Sequence, residues 1–242
     1  MINKMTFLNP WLIFSLLFLI AWLVIFLFKK ELRKEMFWVS VFTALFGLTE
    51  PLFVPEYWNP PSLFNLALKI GFDIESLIFS FAIGGIGAVI YGMFFKIKYK
   101  KMSKPEIHNK RHMFHLLTLI SPVIIFVVLF FLTNLNPIYI ASIAMFTGAI
   151  SALFCRPDLK KNIFVSGLIF LIIYFIFFLL LNLSYPGLVQ EIWNLPAVSG
   201  ILILGIPIEE LMFAFSFGML WSSYYEHVFW YQIVQIKKKS KK

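Results

Sequence analysis

Three acidic residues within apolar stretches are the first candidates for chemistry. Glu209 and Glu210 are adjacent in a segment that is otherwise almost wholly apolar from Val198 to Trp221, and Glu75 lies in a second such segment. A carboxyl group that is removed from water without a cationic partner favours its protonated form and can serve as a proton donor. We therefore take these three residues as candidate catalytic residues.

Aromatic residues follow two of the acids at the same spacing. Phe79 lies one helical turn after Glu75, and Phe213 lies one turn after Glu209, so each ring shares a helix face with its acid. Aromatic faces attract cations, so these rings are candidates for stabilising a positively charged intermediate. Further candidates for contacting a substrate in the same region are Phe81, Phe215 and Trp221.

Residues that interrupt helices precede both acidic sites. Gly205 and Pro207 lie just before the Glu209–Glu210 pair, and Gly71 lies just before the other acid. Glycine and proline both disfavour a continuous helix, and proline is preferred in a first turn. The pattern predicts a helix break before each acid.

The composition indicates that these segments cross a membrane. The chain has 242 residues, of which 60% are hydrophobic and 14% are charged, whereas soluble domains carry about 45–50% apolar residues. A spanning helix needs about 20 mostly apolar residues. Seven segments are candidates: 11–28, 36–53, 72–95, 113–133, 137–155, 162–182 and 198–222. We expect an all-α integral membrane protein with seven transmembrane helices.

The distribution of basic residues predicts the orientation of these helices. If the segments alternate across the membrane, 19 of the 21 Lys and Arg residues fall on one side, and only Lys4 and Lys69 fall on the other. Cytoplasmic loops carry the excess of basic residues. We therefore expect the N-terminus outside and the C-terminus inside a prokaryotic plasma membrane. The basic loops would then contact membrane lipids, and we expect no nucleic-acid partner.

An internal repeat links the two acidic segments. Residues 56–81 resemble residues 191–215, and the upstream sequence KKELRKEMF resembles RPDLKKNIF. The matched positions include Trp58 with Trp193, Asn59 with Asn194, and Glu75 with Glu209. Helices 1–3 then match helices 5–7, which predicts a 3+1+3 parallel tandem repeat. The predicted units are a first repeat (1–97), a basic loop with linker helix 4 (98–135), a second repeat (136–230) and a basic tail (231–242).

The stretch PIEELMF resembles the PxE(E/D)xxF motif of the lycopene cyclase domain family, whose members contain two similar three-helix units. Pro207, Glu209, Glu210 and Phe213 match the motif. The resemblance implies a lycopene β-cyclase-like isomerase, or intramolecular lyase, that closes the ends of linear lycopene into β-rings by acid-initiated, redox-neutral cyclisation. The substrate would be a carotenoid or another isoprenoid lipid, and we expect neither a cofactor nor a metal ion.

The repeat suggests roles for the acids. We expect Glu209 to be the proton donor near the membrane midplane, Glu210 to orient it, and Glu75 to be its counterpart in the first repeat. Glu75 and Glu209 should face one shared cavity that is lined by Phe79 and Phe213. Two alternatives stay open: a cyclase or hydratase of another isoprenoid, and a proton-coupled 3+1+3 transporter.

Other residues that could ligate a metal carry no recognisable spacing. The chain has one cysteine, Cys155, and four histidines: His108, His112, His115 and His227. The first three histidines lie in or beside a basic loop, so we expect them to be solvated or to face lipid headgroups. Glu50, near the end of the second apolar segment, is expected to form only a cap or interface contact.

Overall fold

The computed structural model describes residues 9–235 and is mainly helical. Lys4 and the basic residues of the tail from 237 onward lie outside the described residues. The α-helices are α1 (Pro10–Phe28), α2 (Arg33–Ala44), α3 (Leu66–Ile70), α4 (Ile74–Phe94), α5 (Lys104–Ile107), α6 (His115–Leu132), α7 (Pro137–Cys155), α8 (Lys160–Ser184), α9 (Leu188–Ile192) and α10 (Ile208–Phe229). The strands are β1 (Ile97–Lys101), β2 (Leu202–Ile203), β3 (Ile206–Pro207) and β4 (Tyr231–Gln235).

Two of the long helices start with the same sequence signal. Asn9 caps α1 by accepting hydrogen bonds from the backbone N–H groups of Trp11 and Leu12, and Asn136 caps α7 by accepting one from Ile138. In both helices the next residue is proline, whose fixed φ and missing N–H suit the first helical position. These Asn-Pro pairs set where α1 and α7 begin.

Within residues 9–235, five helices are long and apolar enough to cross a membrane by length and composition: α1, α4, α7, and two that include short preceding turns, Lys110–Leu132 and Pro157–Ser184. An all-α membrane architecture fits this pattern. The predicted bounds of the second and seventh segments are wrong. The second is an α-helix of 12 residues followed by a 3₁₀ segment, Leu45–Leu52, that contains Pro51. The count of seven spans, the 3+1+3 arrangement and the membrane orientation stay predictions.

The seventh helix starts ten residues later than predicted. Residues Leu202–Pro207 form a short antiparallel pairing of β2 with β3, and α10 begins at Ile208. Gly205 has a positive φ of 80° in the turn between the two strands, a conformation that glycine adopts without steric cost. The predicted helix breaks are confirmed here and before α4, where Gly71 has a φ of 89°.

α4 and α10 form the centre of the molecule. Residues 82–91 of α4 and residues 216–223 of α10 are buried without interruption. Gly87 permits the close approach, because a Cβ there would lie 3.0 Å from the ring of Phe217. The indole of Trp221 donates a hydrogen bond to the hydroxyl of Thr43 (2.6 Å) and so ties α10 to α2.

The two halves of the chain form hydrogen bonds with each other at two places, one before α4 and α10 begin and one after they end. Before these helices begin, the N–H of Asn59 donates to the carbonyl of Ile192 (2.8 Å), and the N–H of Asn194 donates to the carbonyl of Tyr57 (2.9 Å). Asn59 and Asn194 occupy matched positions of the two predicted repeats, and so do Tyr57 and Ile192, so the two bonds are equivalent. A twofold axis between the repeats would produce this reciprocity.

After α4 and α10 end, β1 and β4 pair antiparallel, so the predicted all-α fold is supplemented by a small ribbon. The alternation of apolar and basic residues in Ile97-Lys98-Tyr99-Lys100 is a local strand signal, but the many basic residues of this segment led to its interpretation as a loop. The paired residues are Ile97 with Gln235, Tyr99 with Ile233, and Lys101 with Tyr231. The sequence offset that matches Glu75 to Glu209 also matches Tyr99 to Ile233, which is its own pairing partner. This register therefore again supports a twofold relation.

Candidate functional site

A cavity of about 470 Å³ lies between the two halves and is lined mainly by apolar and aromatic side chains. Two carboxyl groups reach it, from Glu50 and Glu210, and we call these residues the cavity carboxyls. Ser76, the counterpart of Glu210 in the first repeat, also lines the cavity. The site therefore combines a small number of polar groups with a wide apolar surface, as sites for hydrophobic ligands do.

Glu210 is held by three side-chain donors. Oε1 accepts hydrogen bonds from the hydroxyl of Tyr57 (2.7 Å) and the indole N–H of Trp193 (2.9 Å). Oε2 accepts one from the hydroxyl of Tyr174 (2.6 Å). The donors come from the loop after the second segment, the loop before β2, and α8. These contacts fix the carboxyl group in one orientation and satisfy both of its oxygens within the buried interior.

Glu50 is held differently. Its Oε2 accepts a hydrogen bond from the backbone N–H of Asp73 (2.9 Å), while its Oε1 accepts none from the described residues. The carboxyl groups of Glu50 and Asp73 interact directly, and the hydroxyl of Ser76 contributes to the same surroundings. Asp73 is fully buried and caps α4 by accepting from the N–H of Ser76 (2.6 Å). Glu50 thus presents one free carboxyl oxygen beside a second carboxyl group.

Glu75 and Glu209 do not line the cavity, so the expectation that they face it together is wrong. Oε1 of Glu209 accepts from the hydroxyl of Tyr139 (2.6 Å) and the backbone N–H of Ser199 (3.0 Å). Oε1 of Glu75 accepts from the amide of Asn9 (2.7 Å) and the backbone N–H of Leu63 (2.7 Å). Each side chain therefore holds the loop that precedes its own helix.

We call Glu75 and Glu209 the loop carboxyls. Each lies in the first turn of its helix, α4 or α10. The midplane position that we expected for Glu209 assumed a continuous helix over 198–222, and the break before Ile208 moves the residue to a helix end. Their matching surroundings agree with the predicted equivalence of the two positions.

Residues 136–228 match the protein-family model described as lycopene cyclase. The match covers 93 of the 242 residues, and over this segment the chain is similar to the lycopene cyclase family. The match confirms the resemblance that the PIEELMF motif indicates, and it supports a membrane carotenoid cyclase in general terms. No curated protein and no solved structure matches the chain.

The lycopene cyclase match covers only part of the cavity wall. It includes Glu210 and two of its three donors, Tyr174 and Trp193, whereas Glu50 and Tyr57 lie outside the matched residues. The family thus accounts for one cavity carboxyl, and the structure supplies the other.

Several aromatic residues predicted from sequence do line the cavity: Trp58, Phe79, Trp193, Phe213 and Trp221. Trp58 and Trp193 pack with ring centroids 5.6 Å apart, across the reciprocal backbone pairing. The ring centroid of Tyr174 lies 6.3 Å from that of Phe213 and 6.4 Å from that of Phe79, so this ring packs against both predicted phenylalanines. The cavity therefore has aromatic faces from both halves around one carboxyl group.

The remaining predicted residues serve the frame of the site. Phe81 packs on Trp22 with centroids 5.0 Å apart, and Phe215 packs against Gly167. Neither ring is among the cavity-lining residues. Asn59 and Asn194 make the reciprocal backbone bonds, and Gly205 and Pro207 shape the turn and the start of α10.

Sequence reasoning missed Glu50, Tyr57, Tyr174 and Trp11 as cavity residues. The signal for Glu50 was present, because an acid in an apolar segment is a functional candidate by default. Tyr174 lies in an otherwise apolar helix, and the hydroxyl of a buried tyrosine usually has a partner. The identity of that partner depends on tertiary packing, which the sequence pattern does not give.

The expectation that the first three histidines are solvated or face headgroups is wrong for His112, which is buried, whereas His108 is exposed as predicted. His227 is buried as well. His112 and His115 both approach Cys155, with their Nδ1 atoms 2.9 Å and 3.4 Å from its Sγ. Among the described residues, these three side chains form a group that could hold a metal ion.

Proposed function

We propose that this protein is a membrane carotenoid cyclase that converts the ends of linear lycopene to β-rings by acid-initiated, redox-neutral cyclisation. The observation that carries the proposal is the apolar, aromatic cavity, whose lining includes the carboxyl side chains of Glu50 and Glu210. The lycopene cyclase match over 136–228 supports the substrate class.

In this proposal Glu50 is the proton donor. A carboxyl group that is buried in contact with a second carboxyl group disfavours its ionised form, and Glu50 lies against Asp73 in this way. Glu50 is one of the residues that line the cavity, and its Oε1 atom accepts no hydrogen bond from the described residues in the present geometry. In this proposal that oxygen carries the proton that is delivered to the substrate.

Glu210 stabilises the cation in this proposal. The hydroxyls of Tyr57 and Tyr174 and the indole of Trp193 donate to its oxygens, which suits an ionised carboxylate. A fixed negative charge in an apolar site stabilises positive charge that develops during the reaction. The faces of Phe79 and Phe213 add a smaller cation–π attraction.

The steps balance without an external reagent. A proton from Glu50 adds to the terminal C=C bond of the substrate and leaves a tertiary carbocation. The next C=C bond attacks this cation, which forms the ring C–C bond and moves the positive charge into the ring. The Glu50 carboxylate then removes a ring proton and forms the ring C=C bond. The product is an isomer of the substrate, and the enzyme returns to its starting state.

The apolar lining of the cavity argues against the transporter alternative. Proton-coupled transport needs a polar path, whereas the cavity is lined mainly by apolar side chains. This surface favours an isoprenoid substrate over a polar one. A cyclase or hydratase of another isoprenoid would use the same acid chemistry, so the substrate must be identified by its product.

The test is expression of the whole chain in a host that accumulates lycopene, followed by pigment extraction and mass spectrometry. We expect cyclic carotenoids with the mass of lycopene, because cyclisation is redox-neutral. A product heavier by one water would indicate a hydratase. Unchanged lycopene in a host whose membranes contain the folded protein would contradict the proposed substrate.

A further inference from the structure

Three potential metal ligands converge at the end of the molecule that carries β1 and β4. Cys155 is the last residue of α7, His115 is the first residue of α6, and His112 lies three positions before it. The nearest cavity residue on α7 is Met145, ten residues earlier, which corresponds to about 15 Å along a helix. This group is therefore separate from the cavity carboxyls and from the proposed cyclisation.

The spacing of the three side chains fits a single ion. The Nδ1 atom of His112 lies 2.9 Å from the Sγ of Cys155, and the Nδ1 atom of His115 lies 3.4 Å from it. One ligand atom from each residue falls within 4.8 Å of the other two. Tetrahedral zinc with Zn–S near 2.3 Å and Zn–N near 2.0–2.1 Å separates its ligand atoms by about 3.5 Å.

Two imidazoles direct the same kind of nitrogen atom, Nδ1, at the sulfur of Cys155. Without a metal, the thiol would donate to one Nδ1 atom and accept a hydrogen bond from the protonated Nδ1 atom of the other ring. A shared cation would be coordinated by all three atoms at once.

We propose that His112, His115 and Cys155 bind one zinc ion. Two imidazoles and a thiolate are the ligand types that zinc prefers over magnesium or calcium. Three protein ligands leave a fourth coordination position for water. Cys155 and His112 are buried, and His115 is half-buried, so the group is enclosed but can be reached by an ion from one side.

The surroundings hold both imidazoles in place. The ring of Trp230 stacks on His115 with centroids 3.9 Å apart and meets His112 edge to face at 4.9 Å. Trp230 has a positive φ of 59° at the end of α10, a conformation that bulky residues rarely adopt. This backbone turn sets the indole against both proposed ligands, which is the type of support that orients metal-binding histidines.

Two arginines, Arg111 and Arg156, place positive charge near the proposed ligands, and one of them is compensated locally. Arg156 follows Cys155 directly, but its guanidinium pairs with the carboxylate of Asp158 (2.7 Å). It also donates to the backbone carbonyls of Glu226 and Tyr231. The arginine is thus compensated locally, and a thiolate at Cys155 would offset one charge of the zinc ion.

The proposed ion would join the start of α6 to the end of α7. Pro122 is the one buried residue of α6, and the main packing partner of this helix is α7. Because α6 is the predicted linker between the two repeats, a metal clip at this point would fix the linker to the second repeat. Binding to the folded state alone stabilises that state.

The test is the metal content of the purified full-length protein, produced with an affinity tag that contains no histidine and measured in detergent by plasma mass spectrometry. We expect about one zinc ion per chain, the stoichiometry of a single three-ligand site. Cys155→Ser and His112→Ala should each lower the retained zinc by about 10-fold or more. His108→Ala is the matched control, because His108 is an exposed histidine of the same loop, and it should retain wild-type zinc.

Cobalt substitution supplies a second readout that does not depend on cyclase activity. The wild-type protein reconstituted with Co²⁺ should show thiolate-to-cobalt charge-transfer absorption, and folded Cys155→Ser protein should lack that band. The proposal is overturned if folded wild-type protein binds neither zinc nor cobalt, if it holds copper in place of zinc, or if Cys155→Ser retains both metal and band.

Discussion

The cavity carboxyls and the loop carboxyls have the same chemical group in different surroundings. Glu210 receives its hydrogen bonds from two tyrosine hydroxyls and an indole that line the cavity. Its neighbour Glu209 receives one from a loop N–H and one from Tyr139 at the start of α7. One carboxyl is thus presented to a ligand space, and the other fastens a loop to a helix end.

This difference follows from helix geometry. Successive residues of an α-helix point about 100° apart, so adjacent glutamates at the start of α10 cannot face the same surface. The same relation holds in the first half, where Glu75 holds a loop and its neighbour Ser76 lines the cavity. The hydroxyl of Ser76 is a far weaker acid than a carboxyl group, and Glu50 reaches the cavity beside it from the second segment. The repeat thus marks equivalent backbone positions without marking equivalent chemistry.

We expect the largest loss of activity from a change at Glu50, one of the cavity carboxyls. Glu50→Gln can still accept the hydrogen bond from the N–H of Asp73, but it has no carboxylic proton to deliver. General acid catalysis contributes about 10²–10⁴-fold, so we expect cyclic product to fall by at least about 100-fold per folded protein. Glu56→Gln, which changes an exposed acid of the neighbouring loop, is the control and should remain active.

A smaller effect is expected when one donor to Glu210 is removed. Tyr174→Phe keeps the ring that contacts Phe79 and Phe213 but removes the hydroxyl bonded to Oε2. A hydrogen bond to a charged group contributes about 1.5–3 kcal/mol, so the rate should fall by about 10-fold or more. Initial rates of product formation in membranes of matched protein content would measure it. An unchanged rate would show that Glu210 does not need this donor.

We expect the smallest effect on the rate from changes at two phenylalanines of α10, of which one lines the cavity and the other does not. Phe213→Leu removes an aromatic face at the cavity, whereas Phe215→Leu changes a ring that packs outside it. Cation–π attraction is worth about 0.5–2 kcal/mol, so Phe213→Leu should lower the rate by about 2- to 30-fold. Phe215→Leu should change protein yield more than rate. Equal rate losses in the two variants would remove the cation–π argument.

Much of the fold could be predicted because its signals are local. Apolar length indicated the long helices, and the Gly and Pro residues before the acids indicated where helices break. Phe79 and Phe213 could be placed because their spacing from the acids repeats. The motif and the repeat also indicated the family.

The rest depends on contacts between distant residues. Which of two adjacent glutamates faces the cavity depends on the rotation of α10, and that rotation is set by packing on α4 and α8. The three donors to Glu210 come from parts of the chain up to 153 residues away. The pairing of β1 with β4 joins segments that are far apart in the chain, and the group of His112, His115 and Cys155 has no local pattern that would predict it.

The most direct measurement compares Glu210→Gln with Glu209→Gln in the lycopene-accumulating host, with product normalised to the amount of folded protein in the membrane. Glutamine keeps the size of both side chains, so the pair differs mainly in which surface loses its acid. Removing a fixed charge that stabilises a transition state costs about 10²–10³-fold. We predict that loss for Glu210→Gln, while Glu209→Gln stays within about 3-fold of wild type per folded protein. An inactive, well-folded Glu209→Gln protein beside an active Glu210→Gln protein would contradict the assignment of the chemistry to the cavity carboxyls.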